Sequence, residues 1–222
     1  HELRSPLTVI SGYLDSLADD KQMPAGWKKP VEQMQAQARR MRHILGELLE
    51  LSRLESAGKA DAEEPVDVGR LLEEARSAFE GHADIARIVV DVQSTAQLRG
   101  NVAEIETVVV NLLSNAVRFT PKEGRITLTW RSDTDGADII VADTGEGIDS
   151  EHLPRLTERF FRVDKGRSRD NGGTGLGLAI VKHVLARYDA ELIISSELGE
   201  GSEFRCRFPV DRVIVSPPVA LS

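Results

Sequence analysis

The chain has 222 residues, 41% hydrophobic and 29% charged, with 28 basic side chains against 36 acidic ones. At about 100–200 residues per domain, that length holds one large domain or two modest ones, and the apolar fraction suffices for a packed core. A net charge of −8 argues against a partner held by bulk electrostatics, so no nucleic acid is expected; the single Cys206 forms no intrachain disulfide and has no companions for a zinc cluster. No stretch approaches the roughly 18 consecutive apolar residues that cross a bilayer, and no signal peptide is visible. The chain opens His-Glu-Leu-Arg, without an initiator Met and inside a helical pattern. It reads as a fragment whose upstream segment is missing.

Two helices are expected first. Leu3, Leu7, Ile10, Leu14 and Leu17 recur at spacings of 4, 3, 4 and 3, and Pro24 and Gly26 punctuate the connection that follows. Val31, Met34, Ala38, Met41, Leu45 and Leu48 form a second such stripe, with Gln33, Arg39, Arg40, Arg42 and Glu47 opposite. Narrow seams of this kind do not enclose a core alone, and pairing two hairpins into a four-helix bundle predicts a homodimer. The alternative is a hairpin packed on the rest of its own chain. Residues 57–65 are small, charged and aperiodic, an expected linker between a helical domain over 1–56 and a second domain over 66–222.

Beyond the linker the pattern is mixed. Val68, Leu71, Leu72, Ala75 and Phe79 suit a helix, and Ile88, Val90 and Val92 alternate as in a strand. Ile105, Val108, Val109, Leu112, Leu113 and Ala116 suit a long helix. Residues 125–131 and 138–143 read as strands paired around an Asp133-Thr134-Asp135-Gly136 turn. Residues 178–188 suit a helix, and 191–196 and 202–208 closing strands, with Phe204, Cys206 and Phe208 on one face. The expected second domain is an α+β two-layer sandwich, one mixed sheet with helices on one side.

Four segments carry candidate chemistry. Asp143-Thr144-Gly145-Glu146-Gly147-Ile148 ends a strand with a carboxylate that can accept from an exocyclic amine, as adenine recognition requires; alone, it also reads as an Asp-Gly turn. Gly172-Gly173-Thr174-Gly175-Leu176-Gly177-Leu178 leads into a helix whose amide end favours anions, yet it is neither a P-loop nor a Rossmann fingerprint. Asn111 and Asn115 share a helix face near Arg118, and carboxamide oxygens can complete the shell of a phosphate-held Mg2+; two Asn bonded to local backbone is the plainer reading. In His1-Glu2-Leu3-Arg4-Ser5-Pro6, a carboxylate beside the imidazole can take a proton from one ring nitrogen while the other acts as nucleophile.

In their order along the chain these segments resemble the transmitter region of bacterial two-component sensor histidine kinases. His1 to Pro6 looks like the H-box, Asn111 to Phe119 the N-box, Asp143 to Ile148 the G1 box, Glu158 to Arg162 the F-box and Gly173 to Leu178 the G2 box. Gly199-Glu200-Gly201-Ser202 matches the last glycine turn, and residues 152–160 and 172–175 are similar to phosphate-regulon sensor kinases. The resemblance implies an α-helical hairpin forming a dimeric four-helix bundle, then an ATP-binding sandwich of the Bergerat (GHKL) type. By the same resemblance His1 accepts the γ-phosphoryl group of ATP and Glu2 is its general base. Asn115 holds Mg2+ with Asn111 assisting, and Arg118 and Arg162 reach the phosphates. Phe119, where many relatives carry Tyr, stacks on adenine, and Asp143 binds its amino group. Gly145, Gly147, Gly175 and Gly177 shape the pocket and its lid, with Gly173, Thr174, Leu176, Leu178 and Ser202 also assigned to the nucleotide. Lys165, Arg167 and Arg169 in the lid segment are further phosphate partners or plain solvated charges.

The implied partners are a second copy of the chain and the receiver domain of a response regulator. The implied setting is the cytoplasmic portion of an inner-membrane protein, attached only through the missing upstream segment, in phosphate-starvation sensing. Ser5 stands where many relatives carry Thr, and its hydroxyl extends the expectation to phosphatase activity toward the regulator. His43, His82, His152 and His183 match no motif and receive no role. A gyrase- or MutL-like ATPase would hold a Glu four residues before Asn115; Asn111 stands there and is no base. The remaining rival is an ATP-binding scaffold without activity.

Overall fold

A computed structural model describes residues 4–20, 23–56, 63–79, 87–163 and 173–215. Two helices lead, α1 (Arg4–Ala18) and α2 (Ala25–Ser56). Gln35 donates to Asp15 at 2.8 Å and Arg42 to Ser11 at 3.2 Å, so the numbering falls on one helix as it rises on the other: the pair is antiparallel. Leu7, Leu14 and Ala38 are buried together against Leu45, whereas Ile10, Leu17, Met34 and Met41 remain 42–50% exposed. The seam is therefore half covered, because a two-helix hairpin closes only one flank of an a/d stripe. The last turns of α2 differ. Leu51, only 2% exposed, joins the core of the domain that follows, with Leu48 and Leu54 packed beside it. At this end the hairpin does pack on its own chain.

The second domain places β2 (Arg87–Val92), β4 (Arg125–Asp133), β5 (Gly136–Asp143), β6 (Glu191–Glu197) and β7 (Gly201–Pro209) in one sheet, order β2-β4-β5-β7-β6. Only β2 and β4 run parallel. The inner faces of β4, β5 and β7 contribute Ile126, Leu128, Trp130, Ile139, Val141, Phe204, Cys206 and Phe208, all buried. Against them pack α3 (Val68–Phe79), α4 (Val102–Phe119) and α5 (Gly177–Arg187). The sheet turns at Asp133–Gly136 as expected from the sequence.

Capping explains where α4 begins and ends. The Asn101 side chain accepts from the amides of Ala103 and Glu104, supplying partners that the first helical turn lacks. At the other end the Thr120 hydroxyl donates to the Ala116 carbonyl at 2.6 Å. Between the caps, Ile105, Val108, Val109, Leu112, Leu113 and Ala116 form the buried stripe and leave the Asn111 and Asn115 face free to line a site.

A second sheet was not expected. β1 (Glu64–Val66), β3 (Gln97–Gly100) and β8 (Val213–Ile214) form a small antiparallel sheet, order β1-β3-β8. The strand at Glu64 lies within the stretch read as a linker, residues 57–62 of which fall outside the described residues. Among the described residues no helix is long and apolar enough to cross a membrane.

Candidate nucleotide site

The end of β5 sets the deep end of the site. Pairing of β5 with β7 puts Asp143 opposite Ser202, and the Gly145 amide donates to Asp143 Oδ1 at 2.8 Å. Burial pushes the Asp143 carboxyl above its ordinary range, against the backbone amides of Gly145 and Ser202, which favour the carboxylate. Phe119 at the end of α4 is 45% exposed, and its backbone carbonyl accepts from the Glu146 amide at 3.3 Å. The aromatic ring, the strand-end carboxylate and the first glycine loop thus meet at one place.

One face of α4 sets the other end. The Asn111 amide nitrogen donates to the Thr107 carbonyl at 2.8 Å, and its oxygen faces Gly177, where an added Cβ would lie 2.6 Å away. Asn115 is half-buried one turn further on. The Arg118 guanidinium carbon sits 6.0 Å from the Phe119 ring centroid, and its Nη1 would lie 2.2 Å from a Cβ at Gly173. Glycine at 173 and 177 therefore allows the second glycine loop to close directly on the α4 side chains. Burial first, and then the charge of Arg162, push Arg118 below its usual range, while Glu47 acts in the opposite direction. The Phe160 amide donates to the Gly175 carbonyl at 2.9 Å with Phe160 at φ 61, tying the segment that carries Arg162 to the same loop.

These parts enclose a cleft of about 840 Å³. Its lining includes Asn111, Asn115, Arg118, Phe119, Asp143, Gly147 and Arg162, together with Gly173, Thr174, Gly175, Gly177, Leu178 and Ser202. Gly145 is buried and is not part of this lining. Leu176 is wholly buried in the core and reaches the loop only through its amide, which donates to the Thr174 hydroxyl at 3.1 Å. Ser5 is exposed on α1 and is not part of the lining. His1, Glu2, Lys165, Arg167 and Arg169 fall outside the described residues.

Sequence reasoning missed one wall entirely. Arg39, Arg42, His43, Gly46, Glu47 and Glu50 of α2 also line the cleft. The sequence pattern places Arg39, Arg42 and Glu47 simply on the polar side of the hairpin and gives His43 no role. Their spacing is a helical stripe, but charged residues at that spacing carry no mark that separates them from a solvated face. Val110, Ile148, Leu156, Phe161, Val163, Ile180 and Phe204 add apolar lining.

A carboxylate with a glycine loop at one end, and carboxamides with two guanidiniums at the other, suits a ligand with a donor-bearing base and a polyanionic tail. That is the chemistry of a nucleotide-binding α+β sandwich. Residues 100–212 match the family described as histidine kinase-, DNA gyrase B-, and HSP90-like ATPase, and residues 1–57 match the His Kinase A (phospho-acceptor) domain. The chain belongs to this ATPase family, and the paired matches place it in the sensor histidine kinase branch. Phosphate regulon sensor protein PhoR of Pseudomonas aeruginosa is 48% identical over 215 residues, 94% of this chain and 48% of the relative. The protein of the same name from Haemophilus influenzae is 36% identical over 220 residues, 96% of this chain and 50% of that relative. The structure of full-length ShkA in complex with AMPPNP superposes with a TM-score of 0.79 at 26% identity, over 97% of this chain and 45% of that one. The chain thus spans about half the length of the curated relatives it matches.

Proposed function

We propose that the chain is an ATP-dependent histidine autokinase, which phosphorylates His1 and passes the phosphoryl group to an aspartate of a response regulator. The observation that carries this reading is the convergence of Asn111, Asn115, Arg118, Asp143, Arg162 and the 173–177 loop on one cleft, from segments far apart in sequence. Asp143 accepts from the adenine amino group beside Phe119. Arg118 and Arg162 face the phosphates, where a polyanion relieves the mutual repulsion of two guanidiniums. The donor set also fits magnesium. With its nitrogen engaged by Thr107, Asn111 presents oxygen to the cleft, and Asn115 adds a second carboxamide, both hard ligands. The metal would supply neutralisation of charge along the phosphate chain.

At the acceptor, one ring nitrogen of His1 bonds to the γ-phosphorus as the bond to the ADP oxygen breaks. Glu2 takes the proton from the other ring nitrogen. Positioning and charge neutralisation supply most of the catalysis in such a transfer. Hydrolysis in place of transfer is disfavoured by Asn111, which stands where an ATPase of this fold holds its base and spends its amide on the Thr107 carbonyl.

In this reading residues 1–56 are the dimerisation and phosphotransfer unit, 57–65 the linker, whose last two residues already pair with β3, and 66–222 the catalytic unit. The half-exposed Ile10, Leu17, Met34 and Met41 support a homodimer, since a second hairpin would cover them. Ser5, exposed on α1, is available to a docked receiver domain and supports a phosphatase role. The phosphate-regulon relatives support phosphate supply as the stimulus and a cytoplasmic location in a membrane-attached sensor. The test is incubation with γ-labelled ATP. Autokinase activity leaves an acid-labile, alkali-stable label on the protein; release of free phosphate alone means an ATPase, and neither product means a scaffold.

A further inference from the structure

The α2 wall of the cleft is held down by several ties. The Thr107 hydroxyl donates to Glu50 at 3.1 Å, Arg159 donates to Glu55, and His183 Nε2 lies 3.4 Å from the same Glu55. Leu51 is buried between these two carboxylates along the helix. Glu47 stands apart from this pattern. Its side chain is 13% exposed and Oε1 lies 3.4 Å from His43 Nε2, yet Oε2 is buried and finds no hydrogen-bond partner among the described residues.

A buried carboxylate oxygen without a hydrogen-bond partner in the protein is unfavourable unless a positive charge stands near it. Arg118 lines the same cleft as Glu47, and Glu47 acts on it in the direction opposite to burial and Arg162. Two unfavourable groups, a partly desolvated guanidinium and a partly desolvated carboxylate, therefore offset one another across the cleft. Arg118 is also the side chain against which the second glycine loop closes. A phosphate chain arriving there meets a carboxylate that already plays its electrostatic part.

The geometry points to Glu47 as a charge-selective determinant of the nucleotide site, supplied by the helical hairpin and opposing ligands in proportion to the negative charge of their phosphate chain. This rests on the proposed reading of the cleft as an ATP site. The hairpin thereby contributes to nucleotide discrimination as well as to phosphotransfer: it weakens ATP more than ADP, and leaves a ligand without phosphates untouched.

The experiment titrates the 222-residue chain and its Glu47→Gln variant with ATP, ADP and adenosine at fixed magnesium. Glutamine keeps the shape and an acceptor for His43 while removing the charge. ATP affinity is expected to rise on the order of tenfold, ADP affinity by less, and adenosine affinity not at all. In an Arg118→Met background the gain for ATP should shrink, since the two charges act on one another. A structural role for Glu47 would move all three ligands together. Equal changes for the three, no change, or weaker ATP binding in Glu47→Gln, with the parent chain binding ATP, overturns the assignment of Glu47 alone. A parent chain that binds no ATP overturns the reading of the cleft, and this inference with it.

Discussion

Arg118→Met separates a phosphate ligand from a structural side chain. Methionine keeps an apolar stem beside Phe119, whose ring the guanidinium carbon approaches at 6.0 Å, and removes the charge. Without nucleotide, burial and Arg162 disfavour that charge while Glu47 favours it. The melting temperature should therefore change little. With nucleotide the charge gains a ligand. A hydrogen bond to a charged group contributes about 1.5–3 kcal/mol, so ATP affinity should fall about ten- to hundred-fold. Adenosine, which has no phosphate, should bind the parent and the variant alike. Titration calorimetry with both ligands, beside a thermal melt, reads all three quantities. If ATP and adenosine weaken together, or the protein melts earlier, Arg118 braces the walls of the cleft and the phosphate assignment is wrong.

Three further outcomes follow from the same structure. Asn115→Ala should remove most of the gain in ATP affinity that magnesium confers while leaving the oligomeric state unchanged; an unaltered magnesium dependence in titrations speaks against Asn115 as the ligand. Leu51→Ala, at a position 2% exposed between α2 and the catalytic core, should lower stability by about 2–5 kcal/mol in denaturant titration; a loss under about 1 kcal/mol would mean that this end of α2 is only loosely seated. Hydrogen bonds from Arg207 hold the exposed Asp133 carboxyl at about 2, against an ordinary 3.8. A carboxyl depressed on folding stabilises fully above its unfolded value and loses that contribution as pH falls through the folded one. The Asp133–Arg207 contribution should therefore fade from about pH 4 to about pH 2, and Asp133→Asn should flatten that stretch of the acid profile; coincident profiles would contradict it.

Periodicity made the larger elements legible and failed on the smaller ones. The stripe from Ile105 to Ala116 and the alternation through Phe204, Cys206 and Phe208 are long enough for the buried face to announce itself, and both are buried as expected. β1, β3 and β8 are two to four residues long, and in β3 the only buried side chain larger than glycine is Leu98, so no alternation exists to read. α2 starts at Ala25 and runs through Gly26, which reads as part of the connection, and through Pro30. Proline is tolerated near a helix start, and Val31 beside it is buried.

The site divides in the same way. Its α4 and glycine-loop residues belong to motifs whose order identifies them. Leu176, inside one of those motifs, serves the core instead, because the turn before α5 points its side chain inward. The α2 wall was hidden by its chemistry. Arg39, Arg42, Glu47 and Glu50 look like any solvated helix face, and only the fold lays that face across the cleft.

The central claim is that one cleft, bounded by α4, the two glycine loops and α2, holds the nucleotide that serves His1. A crystal structure of this chain with magnesium and a non-hydrolysable ATP analogue tests it most directly. Adenine density is expected against Asp143 and Phe119, with the phosphate chain running along Asn111, Asn115 and Arg118 toward Arg162. A nucleotide bound elsewhere, or one whose phosphates lie away from Asn115 and Arg118, would contradict it.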